Sequence, residues 1–116
     1  MKGTEKRIKL KKKILWELAA NYTAVNDSKK CISAYLELAR LGDSIGYLKI
    51  GEIHMRTKDY PNSIRFYEKY ATERNCDLSS KVKLAHAYSK VPQCYMKTID
   101  MLNGILIAPG NACQFK

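Results

Sequence analysis

The chain has 116 residues, with 21 Lys and Arg against 11 Asp and Glu, for a formal net charge of +10. That length fits one domain or part of a repeat array, and a hydrophobic share of 46% excludes a disordered chain. No run of about 18 apolar residues occurs, so no segment is expected to span a bilayer, and six glycines and three prolines are too few for a turn-rich β-sandwich.

The N-terminus is the most charged segment. Residues 1–13 hold seven basic groups against Glu5, so they carry six of the ten net positive charges. Residues 1–11 read as a basic arm. Lys6, Arg7, Lys9, Lys11, Lys12 and Lys13 would attract phosphate or anionic lipid; the plainer alternative is a solubilising tail. Cations at a helix start oppose the macrodipole, so residues 1–9 are expected to fray and firm helix to begin near Lys11–Lys13. The first 25 residues lack the continuous apolar core of a secretory leader.

From there, apolar residues recur at steps of three and four, the spacing of amphipathic helices. Ile14, Leu15, Leu18, Ala19 and Tyr22 predict a first helix over 8–24. Asn26 or Asp27 can cap a second over 28–40, carried by Ile32, Tyr35, Leu36 and Ala39. Gly42 reads as a left-handed stop, and Asp43 as the cap of a third helix over 44–57. Asp59 and Pro61 open a fourth over 60–74. Asp77 or Ser79 opens a fifth over 79–90, and Pro92 precedes a sixth over 93–106, where Asn103-Gly104 is a helix-end signal.

The helices repeat. Leu15, Leu18, Ala19 and Tyr22 match Tyr47, Ile50, Gly51 and His54 at an offset of 32, and these match Lys81, Leu84, Ala85 and Tyr88 at 34. In the second helices, Cys31, Ile32 and Tyr35 match Ser63, Ile64 and Tyr67, then Thr98, Ile99 and Leu102. These positions resemble the tetratricopeptide repeat, with its period of about 34 residues and its pattern W-x2-L-G-x2-Y, A-x3-F, P. Residues Asp59-Tyr60-Pro61-Asn62-Ser63 resemble that family's start of a second helix, and Pro109 stands one residue early for the third unit. Ala39-Arg40-Leu41-Gly42-Asp43 also looks like the related Sel1-like repeats. His54, Lys81, Ser63 and Thr98 depart from the usual residues. The resemblance implies an all-α solenoid of about three helix–turn–helix repeats, with six antiparallel helices over residues 12–110 and a tail at 111–116. Small residues at 19, 51 and 85 would let paired helices approach, and about three stacked units are needed for stability.

The resemblance also implies a concave groove lined by the first helix of each unit. Its positions here are Trp16, Leu48, Lys49, Glu52, Met55, Arg56, Val82, Lys83, His86 and Lys90, an apolar surface with basic flanks that suits a peptide or helix with acidic groups. The alternative is an ordinary solvated face. The subgroup that holds chaperone tails uses two Asn at positions that here are not Asn, so a chaperone tail is not expected. Trp16 is either a groove anchor or a core residue. Tyr60 and Tyr95 are equivalent helix-start positions and read as structural.

No catalytic motif, phosphate loop or cofactor signature occurs. Cys31, Cys76, Cys94 and Cys113 form no metal-ligand pair and read as reduced thiols of a cytoplasmic protein. The expected function is therefore a non-catalytic protein–protein interaction module, an adaptor or assembly factor. The alternative is an RNA- or ribosome-associated protein anchored through the basic arm. The apolar side of residues 93–107, followed by Ala108-Pro109-Gly110-Asn111, reads as a junction that a partner, a second copy or further chain would cover.

Overall fold

A computed structural model describes residues 2–107. The tail at 111–116, Pro109, Cys113 and the junction from Ala108 onward lie outside the described residues. The described chain is all-α: α1 (Lys2–Ala24), α2 (Ser28–Arg40), α3 (Ile45–Arg56), α4 (Tyr60–Glu73), α5 (Leu78–Tyr88) and α6 (Tyr95–Ile107), with a 3₁₀ turn at Pro92–Cys94 before α6.

Five helices begin and end within about two residues of the expected positions. The first departs: α1 starts at Lys2, six residues before the expected start at 8. The basic stretch is thus the opening three turns of a helix rather than a frayed arm. Lys, Arg, Glu and Leu are strong helix formers, no proline interrupts them, and Glu5 in the first turn offsets part of the conflict with the helix dipole.

Four helix ends share one stop. After α1, the Asp27 amide donates to Tyr22 O and the Asn26 amide to Thr23 O. After α2, Asp43 donates to Leu38 O and Gly42 to Ala39 O. After α3, Asp59 donates to His54 O and Lys58 to Met55 O; after α4, Cys76 donates to Ala71 O and Asn75 to Thr72 O. The stops place Asn26 at φ 59°, Gly42 at 95° and Lys58 at 64° in the left-handed region, and after α4 two residues, Asn75 at 53° and Cys76 at 52°. This crossed pair of bonds satisfies carbonyls that the helix end would otherwise leave unmatched.

The next helix then starts at once. Asp27 accepts from the Lys30 amide at 3.2 Å and Asp77 from the Ser80 amide at 2.9 Å. Asp43 accepts from the Ile45 amide at 3.3 Å. Asp59 makes no backbone cap; its carboxylate accepts from the Asn62 amide group at 2.7 Å. The stop residues Asn26 and Lys58, and the aspartates Asp27 and Asp59, lie 32 positions apart, the offset of the repeat.

The chain forms two compact units that divide between Ile50 and Gly51 within α3. In the first unit α1 and α2 run antiparallel, since Ala19 meets Cys31, Trp16 meets Tyr35 and Lys11 meets Glu37. Ala19, Cys31, Ala34, Leu38 and Ile50 are buried there. Gly46 lets α3 touch the α2 backbone: a Cβ there would collide with the Tyr35 carbonyl and stand 3.0 Å from the Ala39 nitrogen. In the second unit Ile53, Tyr67, Tyr70, Ala71, Leu84, Ala85, Ala87 and Tyr88 are buried.

One tertiary bond recurs in both units. Cys31 Sγ donates to Ala19 O at 3.5 Å, and Ser63 Oγ donates to Gly51 O at 2.8 Å. Both donors and both acceptors are 32 residues apart. The small residue on the first helix thus exposes its carbonyl to the small polar residue on the second. Thr98, the third equivalent, is buried but donates locally, to Cys94 O in the preceding 3₁₀ turn at 3.0 Å.

Candidate interaction surfaces

The first unit holds three of the expected groove residues. Trp16 is half-buried and fixed on two sides. Its indole N–H donates to Asp43 Oδ2 at 3.2 Å, and its ring meets Tyr35 edge-on with centroids 5.6 Å apart. One Asp43 oxygen therefore caps α3 while the other holds the tryptophan, so Trp16 ties α1 to the α2–α3 turn. Leu48 and Lys49 are half-buried on α3.

The second unit holds the rest. Glu52 and Met55 are half-buried and Arg56 is exposed. Val82, His86 and Lys90 are exposed at successive steps of four, with Lys83 half-buried beside them. Val82 and His86 thus form an outward row on α5 that continues into Lys90 just past its end. His54 is half-buried; its ring stacks on Phe66 with centroids 5.8 Å apart, and its Nδ1 lies 3.6 Å from Asp59 Oδ2.

Two tyrosines in this unit have displaced acidity. Tyr67 is raised above 10.0 by burial and by the Glu52 carboxylate, with Ser63 acting the other way. Tyr88 is raised far more, by burial and by its hydroxyl's bond to the Glu68 carboxylate. Lys97 Nζ stands 4.7 Å from the Tyr88 ring centroid, so α6 seats a cation on the same side chain.

Two helices carry apolar rows turned to solvent. On α6, Tyr95, Met96, Ile99, Leu102, Leu106 and Ile107 are exposed, from 44% at Leu102 to 83% at Ile107. Tyr95 is thus a surface residue, at odds with the structural role its position suggested. On α1, Leu10, Ile14 and Leu18 are exposed at 60%, 50% and 39%. Steps of four along the sequence could have marked the α1 row, but such steps also describe a core stripe, and only the fold tells the two apart. Lys6, Arg7, Lys9, Lys11 and Lys13 are exposed on the same helix, and Lys12 is half-buried.

Among the described residues no group of three or more His, Cys, Asp or Glu could hold a metal, and no described helix is long and apolar enough to cross a membrane. Cys31 is a buried free thiol and Cys94 a half-buried one. Cys76 is buried and disulfide-bonded, which departs from the expectation that all four thiols are reduced. No family model, curated protein or solved structure matches the chain.

Proposed function

We propose that this chain is a non-catalytic protein-interaction module, an adaptor or assembly factor built from repeats that resemble tetratricopeptide repeats. It would hold an amphipathic helix of another protein. The exposed apolar row of α6 carries the reading. Tyr95, Ile99, Leu102 and Leu106 follow steps of four, three and four, the spacing of a helix–helix seam, and rows of this kind on a soluble surface mark interaction sites. The outward α5 row of Val82, His86 and Lys90 offers a second strip. Lys83, Lys90 and Lys97 favour acidic residues on the partner. The repeat resemblance is supported by the shared helix stops and by the bonds from Cys31 to Ala19 and from Ser63 to Gly51.

The test is site-specific photocrosslinking in cells from a reactive residue at Leu102 or at Val82. A discrete adduct with one other protein, lost when Ile99→Glu and Leu106→Glu are added, is the expected result. Crosslinks only between copies, with a concentration-dependent mass in sedimentation, would replace the partner by a second copy. No adduct at either site would overturn the proposal.

A further inference from the structure

Part of the basic charge of α1 borders its exposed leucine–isoleucine row, while Lys9 and Lys12 lie on the other side of the helix. At about 100° per residue, Leu10, Ile14 and Leu18 fall within an arc of roughly 80°. That arc lies opposite Ala19, which is fully buried. Arg7 falls inside the arc, Lys6 and Lys13 flank one edge, and Lys11 flanks the other. Lys11 also leans toward Glu37, 4.0 Å away in a solvent-exposed pair. Glu17 is the one acid near the row; Glu5 points elsewhere on the wheel. The buried face of α1 is occupied by α2, so the outward face is a second, separate amphipathic surface.

We propose that this outward face of α1 lies in the plane of an anionic membrane surface, with Leu10, Ile14 and Leu18 seated at the headgroup–acyl boundary and Lys6, Arg7, Lys11 and Lys13 on lipid phosphates. The complementarity is twofold. Basic groups bordering an apolar strip match a leaflet that is negative at the headgroups and apolar just below them. A nucleic acid supplies the phosphates but no apolar layer to receive three half-exposed aliphatic side chains, so the row favours lipid over RNA. The helix is too polar to cross the bilayer, and an in-plane seat needs no crossing. This inference stands apart from the α6 reading, because the two rest on different helices and different chemistry.

Vesicle flotation of the full chain tests it, with vesicles of phosphatidylcholine alone and with about one third phosphatidylserine. Binding is expected only to the anionic vesicles. Replacing Lys6, Arg7 and Lys13 by Gln should lower the partition coefficient roughly a hundredfold, at about fivefold per basic group. Replacing Lys29, Arg65 and Lys69 by Gln removes the same charge at exposed positions elsewhere and should change it less than threefold. Leu10→Gln with Ile14→Gln should lower it about tenfold or more while circular dichroism and melting hold. Should that pair lower the melting temperature, Leu10→Gln alone, at the most exposed position of the row, gives the same reading. Absence of binding to anionic vesicles overturns the proposal, as does equal loss in both charge variants. Full binding by the Leu10/Ile14 variant leaves only non-specific adhesion and also overturns it. So does binding to a short RNA, or self-association through this face, in place of the vesicles.

Discussion

Three helical glycines differ in what surrounds them, and replacing each by alanine should move stability in different directions. In a helix interior, Ala is favoured over Gly by about 0.8–1 kcal/mol. That gain is common to all three sites, so the sign of each outcome is set by the space available to the new Cβ. Gly104 on α6 has no heavy atom within 4 Å of that position. It stands near the end of the described helix, so Gly104→Ala should stabilise by ~0.5–1 kcal/mol, a rise in Tm of a few degrees for a chain of this size. At Gly51 the new Cβ would overlap the Tyr67 ring, which is buried and cannot swing into solvent. Overpacking of that kind costs about 1–3 kcal/mol, so Gly51→Ala should come out ~1–2 kcal/mol less stable after the propensity gain. At Gly46 the obstacle is the α2 backbone itself, the Tyr35 carbonyl and the Ala39 nitrogen. No rotamer change relieves it and the two helices must part, so Gly46→Ala should lose at least ~2 kcal/mol net, at the upper end of overpacking costs.

Urea titration followed by circular dichroism, with the slope checked for constancy, should rank the variants Gly104→Ala, wild type, Gly51→Ala, Gly46→Ala. A double-mutant cycle sharpens the second site: the cost of Gly51→Ala should shrink in a Tyr67→Leu background, because neighbours that clash are coupled. A Gly46→Ala variant as stable as wild type would refute the close α2–α3 approach. A cost at Gly51 that is unchanged by Tyr67→Leu would refute the ring as the obstacle.

Lys58 is the one left-handed stop residue with a long side chain, and Lys58→Gly should stabilise by ~0.5–1 kcal/mol in thermal melts, the relief of left-handed strain outweighing the added freedom of the unfolded chain. The Asp77 carboxyl is held below its ordinary 3.8, first by the Ser80 amide. Its contribution is therefore present above about pH 4 and lost as pH falls through its folded value; Asp77→Ala should cost ~1 kcal/mol at pH 7, and the gap to wild type should narrow as the pH is taken below 3.8. Tyr88 is displaced in the opposite sense, above 10.0. The folded state keeps the phenol proton that the unfolded chain releases, so stability is full below pH 10 and falls as pH climbs beyond it; Tyr88→Phe should cost ~1–2 kcal/mol at pH 7 by losing the bond to Glu68 and should weaken the alkaline transition.

The helices and most of their caps were legible because they depend on local chemistry. Asp27, Asp43, Asp59 and Asp77 stand before apolar periodic runs, and Gly42 follows one. Lys58 was not legible as a stop, since lysine has no preference for the left-handed region; the match of its turn to that at Asn26, 32 residues earlier, is the signal that could have found it. Gly46 escaped because a close helix approach is a property of two segments, and only one of them holds the glycine. The extent of α1 was misjudged because repulsion at a helix start was weighed without the propensity of the residues that follow. Trp16 could be placed on a helix but not on a face, because its hydrogen bond to Asp43 joins residues 27 apart. The groove residues were assigned by resemblance. The fold places Val82 and His86 outward on α5 and leaves Leu48, Lys49, Glu52 and Met55 half-buried.

The repeat makes its own internal comparison. Leu18, Ile50 and Leu84 hold the same slot in three successive first helices. Ile50 and Leu84 are fully buried, whereas Leu18 is 39% exposed. Chemistry does not separate them, since all three are branched aliphatics of similar size. Their surroundings do: the slot is open to solvent on α1 and closed on α3 and α5. Burying a half-exposed leucine is worth on the order of 1 kcal/mol, so an open slot alone is a weak site. Leu18 is instead one end of the exposed row with Ile14 and Leu10, and Lys6, Arg7, Lys11 and Lys13 lie around the Leu10–Ile14 part of it; the proposed lipid preference of this face rests on that combination rather than on any one residue. The exposed row of α6 has no comparable cluster of charge, with Lys97 and Asp100 its only charged residues. The two exposed rows thus differ in character: basic side chains accompany the one on α1, and few charges accompany the one on α6.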